Sequence, residues 1–259
     1  MKMLSAVLCM LLCMVCDMAL AAAALATTVN GTVQVQSGTA PARALRLGDG
    51  VEQGDTLTTG AASSVVLKFE DGQIVALSAN ARLVVFAYSY DAAAPERDNV
   101  LLSLLNGGMR AITGLIGKRS PQQVAYRSAN ATIGIRGTDV IIVANGRRLV
   151  VTVTDGQISF TFGGRTINVP AGQGVIASSD GTFQQEAAAE IVRQLGATLP
   201  EGPLILESIN GLTGLARAIQ DAAGAPAGTT REISPGTLFT PGTGTGGTPG
   251  GGGQSGSPS

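Results

Sequence analysis

Between Gly31 and about Gly181, apolar and polar residues alternate with a period of two in short runs separated by turn residues. That pattern predicts half-buried strands. Ser64 to Glu70 is the clearest run, with Val65, Leu67 and Phe69 on one face and Val66, Lys68 and Glu70 on the other. Further strands are predicted at 32–36, 73–78, 82–90, 100–105, 124–127, 140–144, 148–154, 157–162, 165–169 and 174–178. In the 82–90 run the expected common face is Val84, Phe86 and Tyr88. Asp71-Gly72, Asn145-Gly146, Asp155-Gly156 and Gly163-Gly164 read as hairpin turns, because two-residue turns need positive φ, which Gly adopts without steric cost. Short strands with one apolar face must pair face to face or close on themselves. The expected fold is therefore all-β, an antiparallel β-sandwich of jelly-roll-like type or a roll.

The pattern changes near Glu186. Gln184 to Leu195 favours helix, and Leu204 to Asp221 carries Ile205, Ile209, Leu212, Leu215, Ala216 and Ile219 at helical spacing. Gly211 and Gly214 weaken that helix by about 1 kcal/mol each relative to Ala. Its face lacks large aromatics and its only basic residue is Arg217, so docking on the β-domain is favoured over a membrane-surface role. Gly236 to Ser259 is Gly, Thr, Pro and Ser with almost nothing apolar, which predicts disorder. At the other end, Lys2, an apolar run from Met3 to Cys16 and a small-residue stretch ending in Ala24-Leu25-Ala26 read as a secretory signal. The expected division is a signal over 1–26, a β domain over 27–183, a helical segment over 184–223 and a disordered tail over 224–259. No later stretch is long and apolar enough to span a bilayer, so no transmembrane segment is expected in the mature chain.

Composition removes several kinds of chemistry. His is absent, and the three Cys (Cys9, Cys13 and Cys16) all lie in the expected signal. The commonest general base, the commonest metal ligand, a thiolate centre and a disulfide framework are thus missing from the expected mature chain, and no cofactor is expected. The Asp residues at 49, 55, 71, 91, 155 and 180 lack calcium-loop spacing, and most are better explained as turn residues. Formal net charge is −1, which argues against nucleic acid as a partner.

Three stretches, in order, resemble the FecR-like domain family. The first runs from Gly48-Asp49-Gly50-Val51 through Gly54-Asp55-Thr56-Leu57-Thr58-Thr59-Gly60 to Asp71-Gly72. The second joins Gly107-Gly108-Met109-Arg110 to Asn130-Ala131-Thr132-Ile133-Gly134-Ile135-Arg136-Gly137-Thr138, and the third is Val169-Pro170-Ala171-Gly172-Gln173-Gly174-Val175. The motif residues Asn130, Thr132, Gly134, Arg136, Gly137 and Thr138 carry the most specific part. The resemblance implies an all-β periplasmic domain. In the best-known relatives a cytoplasmic anti-sigma segment and a membrane helix precede it. Neither is expected here, where the N-terminus reads as a cleavable signal, so the transmembrane signalling role is not carried over.

Read physically, Ile133 and Ile135 should face the core, Gly134 should admit a close neighbour, and Gly137 should permit a bulge. Arg136 should project opposite the two Ile, either tying down a carboxylate of the fold or meeting a ligand. Residues 101–150 contain seven basic side chains against one acid, Asp139. Of these, Arg110, Lys118, Arg119, Arg136, Arg147 and Arg148 are the candidate binding residues. They could form one face for an anionic envelope polymer or an acidic envelope protein, or be scattered by the strands. The expected function is a non-catalytic binding module of a Gram-negative-type envelope, periplasmic or secreted, sensing or scaffolding. A structural cell-surface or matrix protein is the alternative.

Overall fold

The structure is a computed structural model describing residues 22–197 and 202–224. The expected tail and most of the expected signal lie outside the described residues. Among the described residues fifteen strands form one sheet: β1 Ala24–Asn30, β2 Val33–Ser37, β3 Arg43–Ala44, β4 Gly50–Val51, β5 Asp55–Thr59, β6 Ser64–Phe69, β7 Ile74–Leu77, β8 Arg82–Ser89, β9 Asn99–Ile112, β10 Val124–Ser128, β11 Ala131–Ala144, β12 Arg148–Phe162, β13 Arg165–Pro170, β14 Gln173–Ser178 and β15 Phe183–Ala187. A short helix α1 (Leu115–Arg119) follows β9, and three helices follow β15: α2 Ala188–Ala197, α3 Gly202–Gly214 and α4 Ala216–Gly224.

The long strand β9 organises the sheet. Its first half pairs with β8 and, in parallel, with β10. Its second half pairs with β7 and β11. The β9–β10 pair departs from the all-antiparallel expectation, because the chain between them crosses over through α1 instead of turning in a hairpin. The inward side chains of β1, β2 and β4 through β14 form one apolar core that includes Val51 on β4 and Val175 on β14, so a single sheet curls around its own interior.

A second apolar layer lies outside the sheet. Val66, Ile74, Ala76, Ile141, Val143, Val150 and Ile176 pack under Ile191, Leu195, Ile205, Ile209, Leu212 and Ile219 of α2–α4. The helical segment thus docks on the β-domain. Its second predicted helix is broken at Leu215, just after Gly214, into α3 and α4.

Four local expectations change. Phe86 is 61% exposed, because a bulge between Val85 and Ala87 shifts the phase of β8 and turns Leu83, Val85 and Tyr88 inward instead. Asp155-Gly156 is not a turn: β12 runs through it as a single strand. Phe183–Ala187 is strand β15, paired with β14, where helix was expected from Gln184. Finally, β1 begins at Ala24, inside the expected signal, and pairs with both β4 and β6.

Candidate functional site

The motif strand divides its side chains as its alternation predicts. Ala131, Ile133 and Ile135 of β11 enter the core, while Thr132, Gly134 and Arg136 face outward. Opposite them on β12 stand Thr161, Ser159 and Gln157, in the register Thr132–Thr161, Gly134–Ser159 and Arg136–Gln157. Asn168 of β13 lies beside Ser159, and Ala125 of β10 beside Gly134. With Pro121, Gln122 and Val124 on the rim, these residues line an open groove of about 520 Å³.

Gly134 is the floor of the groove. A side chain there would put its Cβ 2.5 Å from Ser159 Oγ, so the missing side chain keeps the centre deep. At one end the two strands bulge together. The register slips between Arg136 and Asp139, with Gly137 at φ +59° facing Gly156 at φ +74°. Thr138 pins this kink to the end of β9. Its backbone N–H donates to Thr113 Oγ1 at 2.8 Å, and its carbonyl accepts from the Thr113 N–H at 3.0 Å. Asn130 sits in the β10–β11 turn, away from the groove. Arg136, on the last residue before the kink, is exposed and makes no ion pair or side-chain hydrogen bond among the described residues.

The other basic candidates are dispersed. Arg110 forms a bidentate pair with Asp139, Nε to Oδ1 at 2.9 Å and Nη2 to Oδ2 at 2.6 Å, which holds its guanidinium above the ordinary arginine range. Arg119 binds the buried carboxylate of Asp98, donates to the Asp91 carbonyl and lies over the Tyr90 ring. Arg147 lies in the turn after Asn145-Gly146 and Arg148 opens β12; both backbone N–H groups donate to Asn145 Oδ1, and Arg148 Nη1 also donates to Ser178 Oγ at 3.2 Å. Lys118 borders a shallow hollow with Lys68, Glu70 and Leu115. Arg136 alone of the six enters the groove.

One polar cluster escapes sequence reasoning. Asp71, 1% exposed, accepts hydrogen bonds from the Gln73 N–H, the Ile116 N–H and the Tyr88 hydroxyl, tying the β6–β7 hairpin to α1. Burial pushes its carboxyl above the usual aspartate range, and the same burial raises the Tyr88 and Tyr126 hydroxyls. An Asp before Gly signals only a turn, so nothing in the sequence distinguishes Asp71 from its solvated counterparts. Among the described residues no three His, Cys, Asp or Glu side chains converge as a metal site, and no helix is long and apolar enough to cross a membrane.

Residues 55–159, which include β9, the motif strand and most of β12, match the family described as FecR protein. This stretch is a FecR domain. The groove is therefore built largely inside the FecR domain, with Asn168 and Thr161 just beyond the matched residues. No curated protein matches the chain significantly. Among solved structures, a Parabacteroides distasonis protein described as a candidate anti-sigma factor is 13% identical, with a TM-score of 0.43 over 55% of this chain and 64% of its own. A second structure of such a factor from the same organism gives 13% identity and a TM-score of 0.42 over 54% and 65%. The chain thus spans just under two thirds of the length of these proteins. A cell surface anchoring domain is 36% identical over 24% of this chain and 80% of that one, with a TM-score of 0.23. The FecR match supports a regulatory or sensing module associated with the cell envelope.

Proposed function

We propose that this is an exported, non-catalytic recognition module that uses the groove across β10–β13 to hold an acidic segment of an envelope protein. The observation that carries the reading is Arg136: an uncommitted guanidinium at the end of a groove whose other polar side chains are all hydroxyls and carboxamides, set among apolar residues such as Val124, Ile135 and Ile158. Gln157, Ser159 and Asn168 offer donors and acceptors to an extended chain, and Arg136 offers a fork that a carboxylate fits in two parallel hydrogen bonds. The groove holds no His, Cys, Asp or Glu, so it lacks a nucleophile with a base and lacks paired carboxylates. Recognition is the chemistry its residues suit.

The test is site-specific photo-cross-linking in cells, with the photoreactive residue at Gln157 and a control at exposed Glu52. The expected result is a protein adduct from position 157 that is absent at position 52 and falls at least tenfold in an Arg136→Glu background. Equal adducts at both positions, or indifference to Arg136→Glu, would refute the reading. A polysaccharide adduct at position 157 would replace the protein partner with an anionic polymer.

A further inference from the structure

We infer that the exported chain is cut between Ala21 and Ala22, so that the mature protein keeps all of β1. This rests on the export reading above. Four overlapping Ala-x-Ala patterns lie between Ala19 and Ala26: Ala19-Leu20-Ala21, Ala21-Ala22-Ala23, Ala22-Ala23-Ala24 and Ala24-Leu25-Ala26. Each meets the small-residue requirement for signal cleavage, so the residue pattern does not choose among them. The apolar run ends at Cys16, and the first of the four leaves a five-residue polar-to-small stretch, Asp17 to Ala21, before the cut.

The fold separates the four. Ala24 lies between two partner strands, in register with Val51 on β4 and Phe69 on β6. Leu25 and Ala26 continue the ladder opposite Lys68 and Leu67. Ala23, Ala24 and Ala26 are 5%, 1% and 0% exposed and belong to the main core. Outside the ladder, the Ala26 N–H donates to the Asp49 carbonyl at 3.0 Å, the Gly48 N–H donates to the Ala26 carbonyl at 2.8 Å, and the Glu70 N–H donates to the Ala23 carbonyl at 3.2 Å. Ala22 is seated over Gly50, where any side chain at position 50 would come within 2.8 Å of the Ala22 methyl.

A cut after Ala26 would delete the first three residues of β1. It would leave β4 without its partner and strip the backbone of Leu67 to Phe69 of one row of hydrogen bonds. Cuts after Ala23 or Ala24 would each remove core residues and the Glu70 contact. Of the four, only the cut after Ala21 keeps every one of these interactions. The alanines after it are small because they fit a tight core position, not because a peptidase reads them.

The experiment is intact-mass measurement and N-terminal sequencing of the protein purified after expression of the full chain, with its own N-terminus, in a Gram-negative host. The expected mature start is Ala22, and Ala21→Leu should abolish that species. A start at Ala24, Leu25 or Thr27, or an Ala22 start that survives Ala21→Leu, would overturn the inference while leaving export intact. A chain that retains Met1 in all fractions would overturn both this inference and the export reading.

Discussion

The paired bulge that ends the groove can be tested with two substitutions that differ in one physical respect. Gly137 and Gly156 face each other across β11 and β12, and both have positive φ. Alanine at either position must therefore adopt a backbone that costs about 1–2 kcal/mol, partly offset by about 0.4–1 kcal/mol from a less disordered unfolded chain. At Gly137 nothing lies within 4 Å of the new methyl, so the net penalty for Gly137→Ala is about 1 kcal/mol. At Gly156 the methyl would overlap the Gly137 carbonyl oxygen and lie 2.8 Å from the Gly137 carbonyl carbon and 2.9 Å from the Arg136 oxygen. All three obstacles are backbone and cannot rotate away. Overpacking adds about 1–3 kcal/mol, which brings Gly156→Ala to about 2–4 kcal/mol. For a domain of this size the difference is roughly 2–4 °C in melting temperature per kcal/mol. Urea unfolding followed by far-UV circular dichroism should place the midpoint of Gly156→Ala clearly below that of Gly137→Ala, with both slopes unchanged. Because the clash falls on the Arg136 backbone, cross-linking from Gln157 should also weaken more in Gly156→Ala. Equal midpoints, or a more stable Gly156→Ala, would mean that the two strands do not meet at these glycines.

Three further outcomes follow from the packing. Asp71 is held above the ordinary aspartate range by burial, so the folded state prefers it protonated. Its contribution is fully present below the unfolded value near 3.8 and is lost as pH rises through the higher folded value. The stability of wild type minus that of Asp71→Asn should therefore fall as pH increases above 3.8, and a difference that rises with pH would contradict the assignment. Asp139→Ala should cost about 1–3 kcal/mol in denaturant unfolding, because it leaves Arg110, only 15% exposed, without its bidentate partner; Arg110→Met in the same background should recover part of the loss. A chain ending at Ala187 uncovers Ile141, Val143, Val150 and Ile176, and should bind a hydrophobic dye and aggregate where the full chain does not.

The places where alternation along the chain was readable, and where it was not, follow from one geometric fact. Side-chain period two reports a strand only while its phase is constant. Val65, Leu67 and Phe69 keep phase through β6, and their faces were legible. In β8 the phase slips at Phe86, so the large aromatic that looks like a core residue is the exposed one. In β12 Val151 and Val153 point inward before Gly156 and Ile158 and Phe160 after it, an odd-to-even change that mimics two strands joined by a turn. Asp155-Gly156 then supplied turn chemistry at the same place. β15 failed for another reason: Gln184, Gln185 and Glu186 have no strand propensity, and pairing with β14 decides their conformation. Of the candidate site, the outward face of Thr132, Gly134 and Arg136 was legible in the motif, but Gln157, Ser159 and Asn168 were not. They come from strands whose register only the fold sets.

The same bulge also explains why a groove exists beside a covered face. β11 and β12 both change phase at Gly137 and Gly156, so their inner residues stay apolar on both sides of the kink: Ile133 and Ile135 before it, Val140 and Ile142 after it. Their outer residues do not. Beyond the kink Ile141, Val143 and Val150 are apolar and lie under α3 and its neighbours, whereas before it Thr132, Arg136, Gln157, Ser159 and Thr161 are polar and uncovered. Had the helices evolved only to shield whatever the sheet exposes, the polar half would need no shield, and an alanine or serine in place of Arg136 would serve the fold as well. An arginine costs side-chain entropy when it is held, and Arg136 makes no ion pair among the described residues, which is the arrangement the proposed external carboxylate requires. That reasoning makes a sharp demand on the fold. Arg136→Ala should leave the unfolding free energy within about 0.5 kcal/mol of wild type while cross-linking at Gln157 collapses. A large loss of stability would show that the guanidinium works for the sheet and not for a partner.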